Sequence, residues 1–466
     1  MAPSSVQLSP HLFQAQTGPP IAAEWGQLTV PENRKVPGSR LITIPFIRFR
    51  SSADNPGPPV IFLQGGPGTS ALTYLPRMWT KPVMKPPVEL ADCIFIEHRG
   101  FGLSRPSLDC PGTYDIPLDQ PGNVELYTEA HRRYISSAVS FWQERGADIS
   151  GYNAREMAAD IDDLRQVLGY DRLTLYGGSF GSHHALTLLR YFGQYIDRAF
   201  LWSVEGPNHT IKLPSNIQKQ LMKLNEYLRE DAALNSLVPD LLELMASVLD
   251  RLRQPVVVET LHPQSEENVE ITLGSYDLQL VTANGLGNVP FLRTLPLRYL
   301  AMEKGDYSWL AGQVMRLRIN QQSNIMYEAT DIASGATAMR RDRIAREAPE
   351  TLLGDAINEP FHTMGDLFGN PDLGDDFRGR LVSEVPIVLV GGSLDARTPI
   401  SNAQELLPDL AHGELIMVEG ASHDIAVRGT HSRDLALCRD RFFRGEELGI
   451  KQLDASFKML NEKPDG

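Results

Sequence analysis

Cysteine is scarce: Cys93, Cys110 and Cys438 are the only three in 466 residues. Three thiols are too few for a disulfide scaffold, and their spacing matches no zinc pattern. One disulfide plus a free thiol and full reduction both remain open. Cys93, inside the apolar run 93–96, reads as a buried, inert thiol. Long apolar runs are missing as well. The longest uncharged stretch, 55–76, is broken repeatedly by Pro and Gly, which suits a strand and loop rather than a membrane helix. The first thirty residues hold no apolar core of a signal peptide, so none is expected in the sequence as it stands. The compartment stays open between secreted or periplasmic, with a leader removed before Met1-Ala2-Pro3, and cytoplasmic. Positive charge is also short. Lys and Arg number 44 against 58 Asp and Glu, leaving −14, the wrong sign for a nucleic-acid partner. Repeats and low-complexity tracts are absent. What remains is an ordinary globular composition, 42% apolar and 22% charged, with ample material for a core.

The hydropathy pattern alternates β runs with helices in the first half. Residues 25–30 and 41–49 read as strands joined by a turn-rich segment, and 60–63 and 93–97 as short strands buried on both faces. A helix is expected over 153–168, with Asn153 as cap, Glu156 three residues on, and Gly169 ending it. A strand at 173–176, a helix to 189 and a strand at 199–204 follow. This succession predicts an α/β fold with a mostly parallel, doubly wound sheet. From 206 to 382 the text turns mainly helical, as at 217–228 and 241–252, and the α/β pattern resumes at 386–390 and 414–418. The expected organisation is therefore a core in two parts, 1–205 and 383–466, around an inserted helical cap, 206–382. The tail 451–466 is polar and expected to be peripheral.

Gly177-Gly178-Ser179-Phe180-Gly181 fits G-x-S-x-G between a buried strand and a helix. That context places Ser179 on a sharp turn with its hydroxyl standing clear, while glycines let strand and helix close up around it. The Phe180 amide, at the helix start, is then a candidate oxyanion donor. Gln64-Gly65-Gly66-Pro67-Gly68 follows the strand at 60–63, and its glycines allow close backbone approach; Gly66 is the candidate second donor. Glu97-His98-Arg99-Gly100 after the next strand reads as a structural loop, with Arg99 bracing backbone or acids.

Such a serine needs a carboxylate and then a histidine on later strand-end loops. Asp395, in the loop after 386–390, and His423, after 414–418, occupy those places, with Pro399 opening a helix. His423 would take the Ser179 proton, and Asp395 would fix its tautomer. Asp424 and His98 are the weaker competitors. His183 and His184 sit on the helix behind the serine, poorly placed for a base.

Taken together, the 64–68 loop, His98-Arg-Gly-Phe-Gly-Leu-Ser104, the elbow, Asp395-x-x-Thr-Pro399 and the late His423 resemble the proline iminopeptidase and tripeptidyl aminopeptidase group of α/β-hydrolases. The opening Leu28-Thr-Val-Pro-Glu-Asn-Arg34 is similar to the start of its secreted tripeptidyl branch. The resemblance runs from about residue 25 to 443, strong in the core and weak in the cap. It departs from the family at Gln64, where members often carry His, and at Glu97-His98, where they carry an Asp-Gln pair. It implies an α/β-hydrolase fold with a helical cap and hydrolysis near a free N-terminus of a short peptide, without cofactor or metal. Esterase, lactonase or small-amide hydrolase chemistry on the same triad is the alternative, and a silent ligand-binding protein a remote one. An exopeptidase must hold an ammonium group, for which a partly desolvated carboxylate is the physical means. Glu205, directly after the strand at 199–204, is the first candidate, with Glu328 and Asp331 in the cap behind it.

Overall fold

The computed structural model describes residues 4–114, 116–319, 323–358, 363–369, 372–426, 429 and 431–460. Residues 1–3 and the tail end 461–466 lie outside them. The strands are β1 (Ser5–Phe13), β2 (Ile21–Pro31), β3 (Leu41–Phe49), β4 (Gly57–Leu63), β5 (Ala91–Ile96), β6 (Leu173–Ser179), β7 (Ile196–Val204), β8 (Val256–Leu261), β9 (Asn268–Leu273), β10 (Ile387–Gly392), β11 (Gly413–Glu419) and β12 (Gln452–Asp454). All but β8 and β9 join one sheet in the order β1-β2-β3-β5-β4-β6-β7-β10-β11-β12. From β5 to β12 neighbouring strands are parallel; β1, β2 and β3 attach antiparallel at one edge.

The central strands are apolar on both faces because helices cover both. Val60 and Phe62 of β4, Cys93 and Phe95 of β5, and Val388 and Val390 of β10 enter one core layer. The helices Ala71–Met78 and Ser432–Phe443 cover it. The alternate residues Ile61, Leu63, Ile94, Ile96, Ile387 and Leu389 enter the other, beneath the helices Ala154–Val167 and Phe180–Phe192. Asn153 caps the first of these by accepting from the Glu156 amide at 3.1 Å. The Glu156 carboxylate does not complete a box; it pairs with Arg34 at 2.7 Å. Gly169 follows the helix with φ +74°, a left-handed turn that glycine adopts freely.

Between β7 and β10 the chain forms helices and the β8–β9 hairpin over a third apolar cluster. The hairpin was not legible: its strands are short and half exposed. That cluster also takes in Tyr127, Ile135 and Val139 from the helix Val124–Gln143, which precedes β6. The cap we propose thus draws on chain from before the insertion as well as on 206–382. The described part of the C-terminal tail is peripheral, as expected, but it is tied down. β12 pairs with β11, and beyond it the Leu460 amide bonds to the Arg293 carbonyl at 3.0 Å, strapping the sheet edge to the cap. Cys93 and Cys438 are buried free thiols and Cys110 is a partly buried one; burial pushes the Cys110 thiol up to about 12. No helix among the described residues is long and apolar enough to cross a membrane.

Candidate active site

Ser179 closes β6 and stands immediately before the Phe180–Phe192 helix with φ 56° and ψ −130°. A non-glycine residue held there stores about 1–3 kcal/mol of strain. Its side chain makes no capping bond to the helix, so the hydroxyl is available to the site. The turn is as tight as it is because side chains are missing around it. A Cβ on Gly181 would fall 2.0 Å from the Leu63 carbonyl oxygen, and one on Gly178 would strike the Trp202 ring. Ser182 secures the turn from below: its hydroxyl donates to the Ser179 carbonyl at 2.6 Å and accepts from the Glu205 amide at 2.8 Å.

The loops after β10 and β11 meet Ser179 from the other side. Ser179 Oγ lies 3.0 Å from His423 Nε2, and His423 Nδ1 lies 3.0 and 3.2 Å from the two carboxylate oxygens of Asp395. Asp395 is wholly buried yet fully satisfied. The amides of Arg397 and Thr398 donate to Oδ1, each at 2.9 Å, and the Thr398 hydroxyl donates to Oδ2 at 2.7 Å. Burial alone would raise its pKa; the facing His423 and the Thr398 donors outweigh burial and hold it below the usual aspartate range. Ser203, at the end of β7, donates to the His423 carbonyl at 3.2 Å.

Phe180 is buried, and its amide sits at the helix N-terminus directly after Ser179. Gly66 and Ser179 line the same cavity. Gly65, passed over in sequence, comes close enough that a Cβ would lie 3.9 Å from Ser179 Oγ. The 97–104 loop braces this region. Arg99, with no exposed surface, makes paired bonds to Asp160 at 2.6 and 2.7 Å and donates to the carbonyls of Glu32 and Gly151. His98 faces the Phe180 ring at 5.6 Å, and burial pushes it down to about 3, which leaves it neutral. His183 points away, to the Gly206 carbonyl and the Ser334 hydroxyl. Asp424 lines a different cleft, behind the His423 loop.

Residues 58–429 match the family model of the α/β hydrolase fold. The chain belongs to that family. This α/β hydrolase shares 28% identity over 196 residues with the serine protease Hip1 of Mycobacterium bovis and Mycobacterium tuberculosis. The match covers 41% of this chain, and it spans only 37% of the length of those curated relatives. Among solved structures it is similar to a thermophilic esterase from Thermogutta terrifontis, at TM-score 0.40 and 12% identity over 90% of this chain and 98% of that one. A serine hydrolase from Cycloclasticus zankles matches at TM-score 0.38 and 12% identity, over 94% and 99%.

Above Ser179 the α/β hydrolase holds a cavity of about 860 Å³ between core and cap. All three carboxylates named from sequence, Glu205, Glu328 and Asp331, line it. Their states differ. Glu205 is paired with Lys212 at 2.8 Å; burial would raise its pKa, but Lys212 more than offsets this and keeps it ionised. Asp331 is pushed well above the carboxylate range, first by burial and then by the Glu205 charge. Glu328, with no exposed surface, accepts from the Ser323 hydroxyl at 3.2 Å and lies 3.5 Å from His131 Nε2. Aromatic rings stand around it: Tyr114 packs edge-on against both His131 and Tyr134. Lys212 was missed in sequence, and no local signal marks it. Thr398 was in view as the Thr of Asp-x-x-Thr, the spacing at which a hydroxyl reaches back to an acid three residues earlier.

Proposed function

We propose that the protein is a serine hydrolase that cleaves amide bonds of short peptides near a free N-terminus, through an acyl-enzyme on Ser179. The observation that carries this reading is the unbroken chain Ser179–His423–Asp395, opening into a cavity that also holds Glu205, Glu328 and Asp331. His423 accepts the Ser179 proton as the hydroxyl attacks the substrate carbonyl, then returns it to the departing amine. Asp395 keeps Nδ1 protonated, so that Nε2 faces Ser179 as the acceptor. The amides of Phe180 and Gly66 receive the oxyanion, each such donor being worth roughly 10²–10³ in rate. Water then enters on the same base and releases the acid. The reaction as drawn uses side chains and backbone alone.

Of the carboxylates, Glu328 is the best placed to receive an ammonium group, because the Glu205 charge is already met by Lys212 and burial beside Glu205 pushes the Asp331 carboxyl towards its neutral form. The same pairing supports the second reading. With one acid neutralised internally, the cavity also suits an uncharged ester, lactone or small amide. A fluorophosphonate probe tests the nucleophile: it should label the wild type and not Ser179→Ala. Prolyl and tripeptidyl arylamides, their N-acetylated forms and aryl esters then separate the substrate classes. Acetylation should cost at least tenfold in kcat/KM, and Glu328→Gln should erase that difference. Equal turnover of free and acetylated substrates would leave the esterase reading.

A further inference from the structure

Both loops that carry the triad partners of Ser179 are tied to one short turn of the cap, 284–287. Arg397, two residues after Asp395, donates from Nη2 to the Asn284 carbonyl at 2.9 Å, while its own amide donates to Asp395 Oδ1. Ser422, immediately before His423 and without exposed surface, donates from its hydroxyl to the Leu286 carbonyl at 3.0 Å. Arg397 lies flat on Gly287, where a Cβ would stand 2.7 Å from Nε. The two loops are also stapled to each other at their bases. Ser393 donates to Glu419 at 3.1 Å and accepts from the Gly420 amide at 2.8 Å. The cap joins that staple too, since Tyr227 on the helix Pro214–Glu230 donates to the same Glu419 oxygen at 2.5 Å.

An enzyme whose cap only covered the substrate would have no need of catalytic-loop side chains bonded to the cap backbone. Here the acid loop and the base loop each send a side chain to one cap turn, where the accepting carbonyls of Asn284 and Leu286 stand two residues apart. The separation of Asp395 from His423 is therefore set in part by how that turn is seated. We propose that Arg397 and Ser422 are positioning residues that use the seated cap turn 284–287 as a template for the Asp395–His423 pair. The cap is then part of the catalytic frame as well as the wall of the substrate cavity. This inference rests on the triad reading given above.

The test measures the rate of fluorophosphonate labelling, and kcat and KM for p-nitrophenyl acetate, a substrate too small to need the cap. The proteins are the full chain carrying Arg397→Ala, Arg397→Lys, Ser422→Ala or Gly287→Ala, with thermal unfolding followed alongside. Misplacing a catalytic group by about 1 Å can cost about 10²-fold. Arg397→Ala and Ser422→Ala should each lose about tenfold or more in labelling rate and in kcat, with KM within about twofold. Arg397→Lys, which restores a donor, should recover most of the rate. Gly287→Ala acts from the cap side by displacing the Arg397 side chain and should slow labelling although no residue of either catalytic loop is replaced. If Ser422→Ala does not fold, the Arg397 and Gly287 variants carry the test. Folded Arg397→Ala and Gly287→Ala proteins that label at the wild-type rate would overturn the proposal. So would a rise in KM for peptides with ester kcat unchanged, which would make Arg397 a substrate contact. Labelling that survives in Ser179→Ala is a separate failure, that of the triad itself.

Discussion

Replacing Asp395 with Asn tests the proposed chemistry most sharply, because the structure dictates how the new side chain must sit. Two backbone amides, of Arg397 and Thr398, both donate to Oδ1. The Asn oxygen must take that position, since an NH₂ group there would face two donors and leave both unpaired in a fully buried site. The NH₂ group is thereby forced to the Oδ2 position, 3.0 Å from His423 Nδ1. A donor there turns Nδ1 into an acceptor and moves the ring proton to Nε2, which then donates to Ser179 instead of accepting its proton. The Thr398 hydroxyl, 3.0 Å from His423 Nδ1, can rotate to accept from the new amide, so the fold is spared. A wrong tautomer with intact geometry costs about 10⁴ in kcat, which corresponds to about 5.5 kcal/mol of transition-state stabilisation. The assay is kcat on an activated aryl ester at saturation, with thermal unfolding as the control for folding. A folded Asp395→Asn protein that loses less than about tenfold would refute the claim that Asp395 sets the histidine tautomer.

Arg99→Met should lower stability by about 3–5 kcal/mol, because it strips a wholly buried guanidinium from Asp160 and leaves carbonyls of the 32 and 151 turns unmet. Urea unfolding with the midpoint lowered and the slope retained would show it; a loss under about 1 kcal/mol would mean that Arg34, 2.7 Å from Asp160, suffices alone. Gly181→Ala reverses the usual sign of a helical Gly→Ala change, worth about +0.4–1 kcal/mol where the site is open. The added carbon meets the Leu63 carbonyl, so both the melting temperature and the labelling of Ser179 should fall. Asp331→Asn should be more stable than wild type at pH 8. The folded-state pKa of Asp331 is raised, so the wild type loses stability as pH rises above the unfolded value of about 3.9, and the Asn variant does not. The gap between them should close towards pH 4; a gap that is constant with pH would sink this reasoning.

The core was legible because its signals are local. Two-sided burial makes β4 and β5 continuous apolar runs, the elbow is written in five consecutive residues, and Asn153 and Gly169 mark the ends of their helix within a few residues of it. What escaped was whatever depends on a tertiary partner rather than on a segment's own pattern. β1 has mostly exposed residues and exists through its antiparallel pairing with β2, and β12 has only three residues, held to β11. The Val124–Gln143 helix feeds the cap cluster although it precedes β6. The carboxylates make the same point more consequentially. Glu205, Glu328 and Asp331 look alike in sequence as acids near an expected cavity, and position after a strand favoured Glu205. In the fold, Lys212 reaches back seven residues to pair with it, while burial and the Glu205 charge push the Asp331 carboxyl towards its neutral form against the opposing pull of Lys212. How each acid is charged is therefore a property of the folded charge network rather than of any one residue. That is why the fold of this hydrolase and the acids of its cavity could be read from the sequence while the way those acids pair could only be reached through the structure.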